Sequence, residues 1–206
     1  MMGKTHLAVG IASALVIIQP QSSSEMALAI IGGAIGGVAS DIDVKLDFKN
    51  QYAARFAWDA VGSEIAALLI AFGLLCTDYV TQGEICEYIL ERGWLAFAGL
   101  VISLTFVIIG EWNKKHRGKT HSLFALILSS AGAALIHPYI AVSYAIGFAS
   151  HIICDLFNKA EVRVFYPFDR KGLCFKLCYA DKLMNQIFCA IGLMLIFVYL
   201  YVVKMG

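Results

Sequence analysis

The chain has 206 residues and 60% of them are hydrophobic. Its mean hydropathy is +0.75, whereas soluble domains average nearer ~45–50% apolar residues. This composition excludes an ordinary soluble domain, and the absence of strand-type alternation excludes a β-barrel. The formal net charge of +1 gives no reason to expect a nucleic-acid partner. We therefore expect an all-α, polytopic integral membrane bundle, one domain over residues 1–206, with the lipid bilayer as its partner.

About seven membrane segments are legible. The first runs from about Thr5 to Ile18 and the second from about Met26 to Ala39. Each is about 14 residues, short of the ~20 that a span needs. They are thin spans or a re-entrant hairpin, and both alternatives return the chain to the side on which it began. Lys4 before an apolar run has the outline of a signal peptide, but there is no A-x-A site and the run opens on polar Thr5-His6, so cleavage is not expected. The second segment carries Gly32-Gly33-Ala34-Ile35-Gly36-Gly37, two overlapping G-x3-G registers that let helix backbones approach closely. Longer segments follow at about Ala54 to Cys76, Trp94 to Glu111, Thr120 to Ile136, Pro138 to Phe157 and Leu183 to Val203. The loop from Thr77 to Gly93 carries Asp78, Glu84, Glu87 and Glu91 and reads as a solvated cap.

With seven segments the loops alternate sides. Of the 16 lysines and arginines, only Arg92 and Lys204 fall on one side. Positive charge collects on the cytoplasmic side of membranes, so the N-terminus is expected in the cytoplasm and the C-terminus on the far side.

Orientation uses only lysine and arginine, yet it places other polar groups together. His6 opens the first segment. Asp41 and Asp43 close the second. His116 and His121 lie between the fourth and fifth, in His116-Arg117-Gly118-Lys119-Thr120-His121-Ser122. His151 and Asp155, four residues apart and so on one helix face, lie near the cytoplasmic end of the sixth. His137 alone falls at the other side. Imidazoles and carboxylates are the usual ligands of Zn²⁺, Mn²⁺ and Fe²⁺, and ionisable groups within membrane segments are expensive and usually functional. The set His6, Asp41, Asp43, His116, His121, His151 and Asp155 exceeds the needs of one tetrahedral zinc. It suits two divalent ions, or one ion with carboxylates orienting imidazoles. Such a site makes hydroxide available at neutral pH. Arg117 and Lys119 suit an anionic substrate. Asp155, His121 and Arg117 are the residues expected to serve catalysis. Glu111 is a further candidate at the same end. Ser122 and Thr120 read as helix-start hydroxyls, because no G-x-S-x-G elbow surrounds them.

The six cysteines form no dense framework. Cys154 and Cys189 read as packed side chains. Cys174 and Cys178 have C-x3-C spacing without a matching pair, and Cys76 and Cys86 would pair only in an oxidising compartment.

The 116–122 stretch, Ser150-His151-x3-Asp155, the following Tyr166-Pro167-Phe168, the early Thr5-His6 and the Asp41-Ile42-Asp43 turn together resemble the YdjM-like family of LexA-regulated, membrane-bound metal-dependent hydrolases. The resemblance implies a bacterial inner-membrane protein with hydrolase activity. It also implies that the family's metal residues fall on His6, Asp41, Asp43, His116, His121, His151 and Asp155. Ser40 stands where that family often has proline, Val44 where it often has histidine, and Glu161 where a glycine is expected.

Three functions are then weighed: a metal-dependent hydrolase acting on a phosphoester or ester of a lipid or amphiphile, a scaffold or regulator with a structural metal, and an ion- or proton-coupled transporter. The first is preferred because the His/Asp layer lies at headgroup depth beside cations.

Overall fold

The computed structural model describes residues 1–44, 51–111, 119–169, 171–179 and 182–205. Among them are eight α-helices: α1 (Gly3–Ile18), α2 (Ser23–Val38), α3 (Gln51–Val80), α4 (Glu84–Arg92), α5 (Trp94–Glu111), α6 (Leu123–Ile136), α7 (Pro138–Leu156) and α8 (Leu183–Met205). A 3₁₀ turn, Ala39–Asp43, continues α2. No strand occurs among the described residues; only isolated bridges join Asn158 to Cys178 and Val162 to Leu173.

Local chemistry sets the helix starts. Ser22 caps α2 by accepting a hydrogen bond from the Glu25 amide at 3.1 Å, while the Glu25 carboxylate accepts from the Gln21 amide at 2.7 Å. These bonds satisfy amides that have no partner inside the helix. Ser122 caps α6 in the same way through the Ala125 amide, at 3.1 Å. Pro138 occupies the first position of α7, where a missing N–H costs nothing, and His137 Nδ1 accepts from the Tyr139 amide at 3.1 Å.

Four helical stretches are long and apolar enough to cross a membrane: Ser23–Ile42, Ala53–Val80, Pro138–Leu156 and Leu183–Val202. Gly3–Ile18, Trp94–Ser103 and Leu123–Ile136 are shorter apolar helices. The second segment is thus longer than its apolar core suggests, because Ser22 starts the helix early and the 3₁₀ turn prolongs it. The loop expected as a solvated cap is also structured. Asp78 accepts hydrogen bonds from the Ile85 and Cys86 amides at 3.4 and 2.8 Å, which docks α4 onto the end of α3 and buries Ile85.

The bundle is built around α2, which packs most extensively on α7 and then on α1, while α1 also lies against α8. Two glycine faces make this possible. A Cβ on Gly32 or Gly36 would stand 1.9 Å from Ser143 Oγ or 2.2 Å from the Tyr144 carbonyl oxygen of α7. One on Gly33 or Gly37 would stand 2.8 Å from the Gly10 carbonyl oxygen or 2.6 Å from that of His6, both on α1. Gly10 and Gly147 approach the Gly33 carbonyl just as closely. Lipid tails are as apolar as leucine, so packing of this kind, rather than hydrophobic burial, drives helix association in a bilayer. The outer faces of α3 and α8 carry exposed Leu68, Leu69, Phe72, Leu193 and Phe197, as lipid-facing surfaces do.

The α1–α2 hairpin runs beside α8 for a long way. At one end the Asn185 carbonyl oxygen accepts from Thr5 Oγ1 at 3.3 Å, and at the other Tyr199 Oη donates to the Pro20 carbonyl at 3.1 Å. Asn185 and Tyr199 are separated along α8 by about 21 Å at helical rise. The hairpin therefore reaches through most of the depth of α8.

Candidate metal centre

Five of the seven expected ligand residues converge at one end of the bundle. His6 comes from the first turns of α1, Asp41 from the 3₁₀ turn after α2, His121 from the residue before the α6 cap, and His151 and Asp155 from consecutive turns of α7. All are buried, His6, His121, His151 and Asp155 completely. The side chain of Asp43, and all of His116, Arg117 and Gly118, lie outside the described residues, as does the side chain of Glu111.

The glycine faces explain the convergence. Because Gly37 admits the α1 backbone at His6, and Gly147 of α7 admits the α2 backbone at Gly33, the His6 and His151 rings stack with centroids 3.7 Å apart and planes at 19°. His121 meets His151 edge-on at 5.0 Å. Their Nε2 atoms are 3.2 Å apart. Asp41 Oδ1 is 3.7 Å from His121 Nε2 and 3.6 Å from His151 Nε2. Asp155 reaches His6 Nε2 with Oδ1 at 3.4 Å and His121 Nε2 with Oδ2 at 3.6 Å.

Two sets of three ligand atoms result, His6/His151/Asp155 and Asp41/His121/His151, each with all its atoms within 4.8 Å of one another. The sets share His151. Two features of the donor set fit a divalent cation. First, His6 Nδ1 and Asp41 Oδ2 are buried with no hydrogen-bond partner among the described residues, and such orphans call for an explanation in a folded protein. Second, the two buried carboxylates converge on the same imidazole nitrogens, the mix of oxygen and nitrogen donors that Zn²⁺, Mn²⁺ and Fe²⁺ take.

Hydrogen bonds outside the cluster orient the rings. His151 Nδ1 lies 2.7 Å from the Gly37 carbonyl oxygen, and His121 Nδ1 lies 3.1 Å from Thr120 Oγ1. The Met1 nitrogen donates to Asp155 Oδ1, and the Met2 amide donates to Asn185 Oδ1 at 3.0 Å.

Sequence reasoning missed Gly37, Met1 and Asn185 as parts of this neighbourhood. Gly37 carried the signal of a packing glycine, but nothing marked its carbonyl as a partner of His151. Met1 and Asn185 carried none. Ser122 is a helix cap, as its sequence context indicated, and its hydroxyl also donates to the Lys119 carbonyl at 2.8 Å. Lys119 is exposed beside the cluster. His137 sits at the opposite end of α7, against the Tyr88 ring at 4.5 Å. Cys76 and Cys86 are free thiols, and Cys86 Sγ donates to the Leu75 carbonyl at 3.4 Å instead of bonding to Cys76. No third ligand completes a metal site with Cys174 and Cys178 among the described residues.

The family model described as YdjM inner membrane protein matches residues 1–205, and the chain belongs to that family. No curated protein and no solved structure matches the chain. Family and apolar helices together make this a multi-pass inner-membrane protein.

Proposed function

We propose that the chain is a metal-dependent hydrolase of the bacterial inner membrane, acting at the cytoplasmic face on a phosphoester or ester of a lipid or amphiphile. The observation that carries the reading is the convergence of five buried imidazole and carboxylate side chains from four separate stretches of sequence. The whole chain acts as one integral membrane domain, its N-terminus cytoplasmic and its C-terminus periplasmic. His6, Asp41, His121, His151 and Asp155 hold one or two ions of Zn²⁺, Mn²⁺ or Fe²⁺, with Asp43 and His116 completing the set. The bound ion supplies hydroxide at neutral pH and polarises the bond to be cut. Thr120 and Gly37 fix the ring orientations of His121 and His151. Asp155 and His121 stand 3.6 Å apart, a gap that one bridging water or a small approach closes for proton transfer. Arg117 and Lys119 draw the anionic headgroup to the cluster.

Elemental analysis of detergent-purified protein, followed by assay against phospholipids and simple phosphoesters, tests the proposal. Metal-dependent hydrolysis that disappears in Asp155→Ala supports it. Hydrolysis that persists in His151→Ala/Asp155→Ala, or that needs no metal, overturns it.

One observation favours a second reading, a scaffold with a structural metal: the described ligands are almost wholly buried, and a structural site is coordinatively closed while a catalytic one keeps a place for water. Cobalt substitution separates the two. A four-coordinate spectrum unchanged by added anions supports the scaffold, and one that shifts with phosphate supports the hydrolase.

A further inference from the structure

The α7–α8 connection, residues 157–182, has an unusual surface. Among its described residues, the backbone is pinned at several points. The Val162 and Leu173 amides each donate to the other's carbonyl at 2.9 Å. The Phe175 amide donates to the Leu156 carbonyl at 2.7 Å, and the Leu177 and Cys178 amides donate to the Phe157 carbonyl at 3.1 and 3.0 Å. Val162, Val164 and Cys178 are buried beneath it. The outward side chains are nevertheless apolar: Phe168 is 92% exposed, Leu177 68% and Phe175 59%. Exposed Lys171 and Lys176 are interleaved with them. In sequence the connection holds Lys159, Arg163, Arg170, Lys171, Lys176 and Lys182 against Glu161, Asp169 and Asp181.

A water-facing loop does not gain by presenting phenylalanines, and the space beneath this one is already filled by Val162, Val164 and Cys178. Large exposed apolar groups therefore mark a contact surface. The occupant follows from position and charge. The connection joins two helices that are long and apolar enough to cross the membrane, α7 and α8, so it lies where the bilayer ends. Apolar side chains alternating with cations suit that depth, with rings among the upper acyl carbons and lysines snorkelling to phosphates. Lys159 already shows the pairing, its Nζ standing 4.0 Å from the Tyr179 ring centroid. The Leu123 amide donates to the Val164 carbonyl at 2.9 Å, which ties the connection to the start of α6, two residues from His121.

We infer that residues 157–169 and 171–179 form a plate that docks into the anionic headgroup layer of the membrane the protein spans, with Phe168, Phe175 and Leu177 inserted and Lys171 and Lys176 on lipid phosphates. The inference rests on the membrane-spanning fold and is independent of metal binding or hydrolysis.

The test places a reporter on the plate of the full chain. Phe168→Trp is prepared in nanodiscs of phosphatidylcholine with and without phosphatidylglycerol, and the emission added over the parent protein is quenched with brominated phosphatidylcholine or aqueous iodide. The expected result is quenching by brominated lipid, protection from iodide and a larger blue shift with phosphatidylglycerol. In K171Q/K176Q the phosphatidylglycerol-dependent part of the shift is lost. Both substituted lysines are exposed, and an unchanged elution volume on size exclusion verifies that the fold is kept. Full quenching by iodide with none by brominated lipid overturns the inference. So does a shift indifferent to phosphatidylglycerol, which removes the role of anionic headgroups. Protection that appears only at high protein-to-lipid ratio also overturns it, by making a second copy the occupant.

Discussion

His151 Nδ1 lies 2.7 Å from the carbonyl oxygen of Gly37. A carbonyl only accepts, so this contact puts a proton on Nδ1 and turns Nε2 towards Asp41, His121 and Asp155. A backbone group on α2 thereby orients an imidazole on α7, as carbonyl partners commonly orient metal-binding histidines. The same glycine admits the α1 backbone at His6. One residue thus controls how close two imidazoles come and which nitrogen one of them presents.

Purified wild-type protein is expected to retain about one or two equivalents of Zn, Mn or Fe, the number that two ligand sets sharing one histidine can hold. His151→Ala/Asp155→Ala removes a residue common to both sets and a carboxylate that contacts three imidazoles, and is expected to abolish retention. Elemental analysis after reconstitution checks this. Full metal content in the variant would show that the ion sits elsewhere.

Gly37→Ala places a methyl group 2.6 Å from the His6 carbonyl oxygen. Neither helix backbone can yield without moving His6 or the carbonyl that holds His151. We expect a loss of about 1–3 kcal/mol, the usual cost of overpacking, together with loss of metal. Gly73→Ala in α3 meets nothing within 4 Å and is expected to gain about 0.5–1 kcal/mol from the better helix former. Thermal unfolding in detergent distinguishes the pair. Equal behaviour would mean that close approach of α1 and α2 is not required.

Ser122→Ala removes the cap of α6 while leaving the His121 ring and its Thr120 partner in place. The expected cost is about 1 kcal/mol of stability, with metal content unchanged. Were hydrolysis abolished in this variant without loss of metal or fold, the hydroxyl would have to act as a nucleophile and the assignment to a cap would be wrong.

Burial, together with the hydrogen bond and negative charge of Asp78, holds the Cys86 thiol above its ordinary pKa. Only the thiolate reacts, so a raised pKa lowers the rate at a fixed pH near neutrality, and the rate climbs as pH rises towards the shifted value. Maleimide labelling followed by peptide mass spectrometry is expected to modify Cys86 more slowly than exposed Cys76. Asp78→Asn is expected to accelerate Cys86 labelling by removing the charge and by loosening α4. Unchanged labelling in Asp78→Asn would dissociate the carboxylate from the thiol.

Much of this was legible in the chain alone. Composition fixed the membrane class, because so high an apolar content has no soluble solution. Ser122 announced a helix start, because a hydroxyl before an apolar run satisfies amides that the helix itself cannot. His151 and Asp155 shared a face by the helical period, and charge asymmetry gathered His6, Asp41 and His121 at one end before any coordinates. Length was read less well: the cap and the 3₁₀ turn carried the second segment beyond its apolar core, and α4 was hidden in a loop of charged residues because one carboxylate docks it.

The tertiary structure decided which groups meet. Sequence placed the histidines in one layer, but a layer is wide, and only the double glycine face of α2 brings α1 and α7 close enough to stack His6 on His151. The orientation of those rings depends on carbonyl and hydroxyl partners remote in sequence or unremarkable in it. The roles of Met1 and Asn185, and the tie between Val164 and the start of α6, follow from hydrogen bonds between distant segments. Such contacts have no local period or propensity, because they arise only after the helices have packed.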